Sequence, residues 1–156
     1  MEHPNPEYVS ALKKVVKDSP YPAQMQMTLE EIEINTARLM IRLGKRHLQP
    51  FGIVHGGVLA TIIDTATFFA AFLKLPVDTG LVNVDLKLNY LAPVIEGHLY
   101  AEGTCLHLGR SISYTEARFF DDQKNLVAHG TSTLMAIPGK GLLNLGVDKF
   151  LLGNKE

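Results

Sequence analysis

The sequence has one cysteine, almost no net charge and no apolar run long enough to cross a membrane. Cys105 is the only cysteine among the 156 residues, so no disulfide can form within the chain and a reducing compartment is expected. The 15 basic and 16 acidic side chains leave a formal net charge of -1. Binding to nucleic acid is not expected, because phosphate contacts need clustered lysine and arginine. The longest apolar run, Val58–Leu73, is shorter than the roughly 20 residues of a membrane span.

Signatures of several enzyme classes are also missing. No Gly-x-Ser-x-Gly motif is present, which argues against a serine hydrolase of that type. The six histidines include no pair at metal-ligand spacing, and one cysteine cannot build a zinc site. No phosphate-binding loop appears. We therefore expect neither a metal nor an organic cofactor.

Length and composition predict a single domain over residues 1–156, since domains usually have roughly 100–200 residues. Hydrophobic residues make up 46% of the chain, which excludes disorder. Residues 1–6 lack the basic and then apolar stretch of a secretory signal, so a cytoplasmic location is expected. The expected parts are an N-terminal helix at about 6–18, a core at about 27–137 and a C-terminal extension at about 139–156.

The N-terminal third predicts one helix followed by two strands. Asn5 is a good N-cap, and Pro6 suits the first helical position. Pro20 ends the helix, and Pro22 is expected to keep the next segment extended. From residue 27 to residue 43, apolar and charged residues alternate, which predicts two strands with a turn near Asn35.

Period-two alternation returns after Pro76 and predicts four more strands. In the first, Val82, Val84 and Leu86 alternate with polar residues, which places the apolar side chains on the buried face. Short turns between successive strands indicate an antiparallel meander. The predicted strands cover residues 82–90, about 98–108, 112–120 and 126–137.

Between these two groups of strands lies a helix that is apolar nearly all round, from Val58 to Leu73. Such a helix is expected to be buried. A curved sheet of about six strands that wraps around it gives an α+β fold. The edge strand left open by this arrangement can pair with a second copy, so a homodimer is expected.

Two features of this helix can carry chemistry. Gly56 and Gly57 stand at its start, where backbone N–H groups lack internal acceptors and lie at the positive end of the helix dipole. Such donors can stabilise a carbonyl oxygen as it becomes an oxyanion. Asp64 lies further along, on the helix stripe that also carries Gly57, Thr65 and Phe68. A carboxylate there can attack a carbonyl or activate a water molecule, which suits acyl transfer to water.

The order of motifs resembles the hotdog-fold acyl-CoA thioesterases of the 4-hydroxybenzoyl-CoA thioesterase superfamily, in the branch that includes PaaI. The resemblance covers roughly residues 27–137. It rests on the segments 48–57, 64–66, 84–86, 89–93, 109–110, 114–117 and 128–131.

The resemblance implies a metal-free thioesterase that works as a homodimer or as a dimer of dimers. Asp64 matches the family carboxylate, either nucleophile or general base, and Gly56 matches the oxyanion-hole N–H. Further catalytic candidates are Gln49, Asn83 and His55, with Asn83 standing where relatives often have a small hydroxyl residue. The residues expected to bind acyl-CoA are Gly57, Thr65, Phe68, Gly109, Arg110 and Ser111.

Two other classes stay open on this fold. A non-catalytic acyl-CoA sensor needs the pocket but not Asp64. A hydratase or dehydratase usually shows a catalytic histidine at a different, proline-containing spacing, which is not found here. The identity of the acyl group is left open as well.

Overall fold

The computed structural model describes residues 3–142 and 146–151. Its first elements are a two-residue strand β1 (His3–Pro4), the helix α1 (Pro6–Asp18) and the short helix α2 (Pro20–Gln24). The predicted helix at 6–18 is confirmed, and the Asn5 side chain caps it by accepting the Glu7 N–H at 3.0 Å. The expectation of an extended segment around Pro22 is wrong, because this segment forms α2. Pro20 occupies the first position of that helix, where the N–H that proline lacks would have no intrahelical partner.

The remaining elements form a six-stranded sheet and one long helix, α3. The helix covers Gly56–Phe72 and follows a short 3-10 turn at Lys45–His47. All strand pairs are antiparallel, in the order β2-β3-β5-β6-β7-β4. The strands are β2 (Met27–Glu33), β3 (Thr36–Arg42), β4 (Thr79–Tyr90), β5 (His98–Leu108), β6 (Ile112–Phe120) and β7 (Leu126–Pro138), with a further short strand β8 (Phe150–Leu151) beside β1.

The sheet packs against α3 on its concave side, as the fold prediction requires. Its inner face and α3 share one hydrophobic core. The closest approach is at Gly103 of β5, where an added Cβ would collide with the Ala66 carbonyl oxygen. Glycine at this position lets the helix backbone rest directly on the sheet.

The helix is not buried around its whole circumference, and that expectation is corrected. Within the single chain, Gly57 and Asp64 are exposed, while Thr61, Thr65 and Phe68 are half-buried. We call these five residues the open stripe of α3. The rest of α3 is so apolar that a hydropathy pattern alone hides this narrow polar face.

Strand β4 changes face at a bulge. The pairing register with β7 shifts between Asn83 and Asp85. Before the bulge Asn83 faces α3, whereas Val82 and Val84 are exposed, 40% and 53% respectively. The predicted burial of Val82 and Val84 is therefore wrong, because the extra residue reverses the alternation that the sequence pattern assumes.

Part of the C-terminal extension packs back onto the start of the chain. Strands β1 and β8 pair antiparallel, and the Asn5 N–H donates to the Lys149 carbonyl at 2.8 Å. This pairing places the Lys149 side chain beneath the C-terminal end of α3 with 5% exposure. Residues 143–145 and 152–156 of the predicted extension lie outside the described residues. In the described part of the chain, no helix is both long and apolar enough to span a membrane.

Candidate active site

Asp64 lies in the third turn of α3, at the centre of the open stripe. Its carboxylate is exposed in the single chain and accepts a hydrogen bond from the Asn83 side-chain amide. The same amide nitrogen lies 3.5 Å from the Asp64 backbone carbonyl. A carboxylate held in this way keeps a fixed direction while its second oxygen is left for another partner.

Asn83 reaches Asp64 because of the bulge in β4. The register shift turns this side chain toward the helix. Its carbonyl oxygen Oδ1 is buried and has no hydrogen-bond partner among the described residues. A buried amide acceptor without a partner is costly, so this atom marks a place where a donor is expected beside Asp64.

The start of α3 presents a backbone donor. His55 is the N-cap, and its ring nitrogen Nδ1 accepts the Gly57 N–H at 2.8 Å. The structure thus assigns His55 a capping contact. In the described part of the chain the Gly56 N–H has no acceptor. This N–H lies at the positive end of the helix dipole, where negative charge is favoured.

A cleft of about 600 Å³ opens beside Gly56. Gln49 stands at this cleft, and its Oε1 accepts the Phe51 N–H at 2.8 Å, which fixes the loop before α3. The side-chain NH2 group of Gln49 is not used in that contact. Apart from Gln49 and Tyr90, apolar side chains and backbone make up the walls, with the contributing residues Ile53, Val54, Gly56, Leu59, Leu91, Ala92, Pro93 and Val94.

Within one chain, the predicted carboxylate and oxyanion donor do not meet. Gly56 and Asp64 are eight residues apart on α3, which corresponds to about 12 Å along the helix axis at 1.5 Å per residue. Asp64 does not line the cleft beside Gly56. A thioester carbon must lie about 3 Å from both groups, so one chain alone does not assemble the site.

The other residues of the open stripe make mostly local contacts. The Thr65 hydroxyl donates to the Thr61 carbonyl at 3.2 Å. The Phe68 ring stacks on Phe72 with a centroid distance of 5.3 Å. Gly57 contributes bare backbone to the exposed surface. These predicted substrate contacts thus flank Asp64 on the uncovered side of the helix.

The predicted CoA-binding residues lie in a different place. Gly109, Arg110 and Ser111 form the turn between β5 and β6, closed by the Gly109 N–H, which donates to the Ile112 carbonyl at 2.9 Å. They line a hollow of about 610 Å³ together with Lys74, just past the C-terminal end of α3. The hollow therefore combines two cationic side chains at one end of the molecule, away from the cleft at Gly56.

No convergent metal-ligand set accompanies these groups in residues 3–142 and 146–151. Groups of three or more histidine, cysteine, aspartate or glutamate side chains with the geometry of a metal site are absent from that part of the chain.

Tyr90 at the cleft and Lys149 beneath the end of α3 were not singled out from the sequence. Tyr90 belongs to the motif 89–93, but its contact with Gly56 depends on where β4 ends relative to α3. Lys149 is a single lysine in a tail without clear periodicity, so only the tertiary structure shows its burial.

Comparison with known proteins places these groups in a family. The sequence pattern of the thioesterase superfamily matches residues 51–128. A Bacillus subtilis protein named as a candidate esterase, ComA2, is 30% identical over 111 residues, which cover 69% of this chain and 88% of the relative. The 1,4-dihydroxy-2-naphthoyl-CoA hydrolase of Listeria monocytogenes is 24% identical over 103 residues, which cover 66% of this chain and 84% of the relative.

Solved structures agree on the fold. The thioesterase HI1161 of Haemophilus influenzae superposes with a TM-score of 0.77 at 24% identity, over 88% of this chain and 94% of that one. The PaaI protein of E. coli superposes with a TM-score of 0.76 at 18% identity, over 86% and 94%. The superfamily pattern spans half of the sequence, and its helix carries Gly56 and Asp64. This chain belongs to the thioesterase superfamily and has the hotdog fold.

Proposed function

We propose that this protein is a cytoplasmic acyl-CoA thioesterase whose two equivalent sites are each built from both chains of a homodimer. The observation that carries the proposal is a pair of groups on α3 that remain available to a substrate. One is the Gly56 N–H, which has no acceptor among the described residues, and the other is the exposed Asp64 carboxylate held by Asn83. The free and buried Cys105 fits a reducing compartment.

The Gly56 N–H serves as the oxyanion hole. The thioester carbonyl oxygen accepts this hydrogen bond, and the acyl group extends into the apolar cleft beside it. Negative charge develops on that oxygen only as the carbonyl carbon becomes tetrahedral, so the donor stabilises the transition state more than the bound substrate. The unused NH2 group of Gln49 stands at the same cleft and can donate to the thioester.

Asp64 acts as a general base in this proposal. A water molecule that donates one hydrogen to Asn83 Oδ1 and the other to Asp64 satisfies the buried acceptor. The water oxygen attacks the thioester carbon while Asp64 takes its proton. Collapse of the tetrahedral intermediate breaks the C–S bond, and the proton passes to the CoA sulfur, which gives the free acid and the thiol. Direct attack by Asp64 is the alternative, and it leaves Asn83 Oδ1 without a donor.

In this proposal the two chains associate through strand β4. This strand lies at one edge of the sheet, exposes Val82 and Val84, and carries Asn83, which contacts Asp64 of the open stripe. Unpaired edges and exposed apolar side chains favour association. Pairing of β4 with its copy around a twofold axis makes the two α3 helices antiparallel. Gly56 of one chain then lies opposite Asp64 of the other chain.

The hollow beside Gly109, Arg110 and Ser111 is the proposed site for the phosphate groups of CoA. Arg110 and Lys74 provide the positive charge that phosphate requires, and a guanidinium can bind two phosphate oxygens at once. This hollow lies beyond the C-terminal end of α3, on the side of the molecule that carries Asp64 rather than Gly56. In the shared site, one chain then binds the acyl group and the other binds the nucleotide.

The assay that tests the function is release of free thiol from acyl-CoA. Wild-type protein is incubated with benzoyl-CoA and hexanoyl-CoA, and the thiol is followed with a chromogenic disulfide. Asp64→Asn keeps the side-chain shape and removes the base, so turnover should fall by roughly 10²–10⁴. Asp18→Asn is the matched control, because Asp18 is an exposed carboxylate at the end of α1 that forms a surface ion pair with Lys14.

The outcomes separate the three functional classes. Thiol release that depends on Asp64 supports the thioesterase. Binding of acyl-CoA without release of thiol contradicts it in favour of a sensor, and a change in enoyl absorbance without thiol release contradicts it in favour of a hydratase or dehydratase.

A mixed dimer tests the shared site. Gly56→Pro removes the oxyanion N–H and also displaces Tyr90, which belongs to the same half of the site. When this chain is combined with an Asp64→Ala chain, each mixed dimer has one intact site and one doubly altered site. Half of randomly formed dimers are mixed, so about a quarter of the wild-type activity should return. Mixed dimers that form and stay inactive contradict the cross-chain arrangement.

A further inference from the structure

His47 is a buried histidine whose two ring nitrogens both make hydrogen bonds. Its exposure is 1%, and it ends the short 3-10 turn that precedes α3. The Gly44 N–H donates to Nδ1 at 2.9 Å, and Nε2 lies 3.1 Å from the Met25 carbonyl oxygen. A backbone N–H can only donate and a carbonyl can only accept, so the ring proton is on Nε2. Burial also lowers the pKa of His47, which favours this neutral form.

The ring joins the loop before α3 to the end of α2. Met25 is the C-cap of α2, and Gly44 follows β3 by two residues. With its side chain held between these two points, His47 presents its own backbone carbonyl to the start of α3. That carbonyl accepts the N–H of His55, the N-cap of α3, at 2.8 Å. A buried side chain thus fixes the acceptor that holds the entry to the helix.

The peptide unit that bears the Gly56 N–H begins at His55. Its carbonyl oxygen, contributed by His55, accepts the Val58 N–H at 2.9 Å. In a planar trans peptide the N–H points opposite to the C=O, so this bond directs the Gly56 N–H away from the helix start. His55 is extended, with φ -65° and ψ 136°, and its own N–H is held by His47. The place of the oxyanion donor therefore depends on two bonds to His55, one from within α3 and one from His47.

We propose that His47 is a positioning residue for the oxyanion donor. It does not line the cleft beside Gly56, so it acts through His55 rather than on the substrate. Displacement of a catalytic group by about 1 Å can cost roughly 100-fold in rate, so the loop that carries His55 has to be fixed closely. This inference rests on the proposed thioesterase function and adds to it a residue outside the substrate cleft.

Two variants test the role of the ring, with kcat and KM measured by thiol release from benzoyl-CoA and hexanoyl-CoA. His47→Asn places an oxygen acceptor as many bonds from the backbone as Nδ1, so the Gly44 contact is kept and kcat should fall only about twofold. His47→Leu leaves the Gly44 N–H and the Met25 carbonyl without this partner, so kcat should fall about tenfold. KM should stay within about twofold for both, because a displaced oxyanion donor weakens the transition state more than the bound substrate.

The matched control is Thr115→Val. Thr115 is fully buried on β6, and its hydroxyl donates to the Ser132 carbonyl at 3.2 Å, so this change also removes a buried hydrogen bond. It should lower the melting temperature and leave kcat unchanged. A His47→Leu protein with wild-type kcat, a change in KM alone, or an equal loss of kcat in Thr115→Val overturns the positioning role. If His47→Leu does not fold, His47→Gln replaces it, since glutamine can still donate to Met25 but does not replace Nδ1, and kcat should fall about fivefold.

The amide signal of Gly56 gives a reading that does not depend on turnover. In 15N-labelled protein this signal should move in His47→Leu, move less in His47→Asn and keep its place in Thr115→Val. A Gly56 signal that stays in place in both His47 variants overturns the inference. A wild-type protein that releases no thiol contradicts the proposed function instead, and the amide signal then still decides whether His47 positions the Gly56 N–H.

Discussion

Burial of Lys149 makes the stability of this protein depend on pH in a way that can be measured. The ammonium group donates to the Phe72 and Leu75 carbonyls at 3.2 and 2.9 Å, and it lies 4.2 Å from the centre of the Phe72 ring. These contacts cap the C-terminal end of α3, where a positive charge is favoured. Removal from water nevertheless dominates and lowers the pKa of Lys149 from 10.5 to about 8.

The sign and size of the effect follow from the two pKa values. Between about pH 8 and pH 10.5 the unfolded chain still binds the proton that the folded chain has lost, so the free energy of unfolding rises with pH. Below pH 8 Lys149 is protonated in both the folded and the unfolded state. Burial of its charge then lowers the free energy of unfolding by about 3 kcal/mol, at 1.36 kcal/mol for each pH unit between the two pKa values. From pH 7 to pH 9.5 the expected gain in stability is about 2 kcal/mol.

Lys149→Met tests this prediction, because methionine has a similar length and no charge. The free energy of unfolding is measured by urea titration with circular dichroism at pH 7 and pH 9.5, at one protein concentration since a dimer gains stability by mass action. The wild-type value minus the variant value should rise by about 2 kcal/mol over this range. Burial raises the pKa values of Cys105 and Tyr8, and this lowers the free energy of unfolding at high pH. Both groups are present in both proteins, so their effect cancels in the difference. A difference that stays constant with pH refutes the lowered pKa of Lys149. The control is Lys13→Met, because Lys13 is exposed.

Three further predictions concern the CoA site, cofactors and packing. Arg110→Ala should raise KM for acyl-CoA more than it lowers kcat, and the effect should vanish with a thioester that lacks the nucleotide; an equal loss on both substrates would remove Arg110 from the CoA site. Treatment with a chelator should leave thiol release unchanged, and activity that is lost and then restored by a divalent ion would contradict a metal-free mechanism. Gly103→Ala should lower the free energy of unfolding by about 2 kcal/mol in thermal melts, because its methyl group meets the Ala66 carbonyl oxygen, whereas Gly44→Ala, with no atom within 4 Å, should have little effect.

The periodicity of the sequence predicts most of the fold because most elements bury one regular face. The helix α1 and the strands β2, β3, β5, β6 and β7 follow the expected boundaries within a few residues. The errors fall where regularity is broken. The bulge in β4 exposes Val82 and Val84 and turns Asn83 inward, and no local residue pattern announces a one-residue insertion into a ladder.

Contacts between distant segments of the chain are the second kind of feature that the sequence does not reveal. Lys149 is buried because β8 pairs with β1, more than 140 residues away. The Tyr90 contact with Gly56 spans 34 residues and depends on how the edge strand ends beside the helix. Periodicity predicts which face of an element is apolar, but it does not predict which side chain of another element will meet that face.

An argument from burial singled out Asp64, a residue that is exposed in the single chain. A carboxylate on an apolar helix is costly when the helix is enclosed, and this cost singles out Asp64 in the sequence. In the single chain the carboxylate is exposed, so the chain alone does not impose the cost. If β4 pairs with its copy, the open stripe of α3 becomes covered and Asp64 loses solvent on association rather than on folding. In that proposed dimer, the desolvation that makes a base reactive toward a bound thioester comes from association, whereas the contact between Asn83 and Asp64 is already present in the single chain.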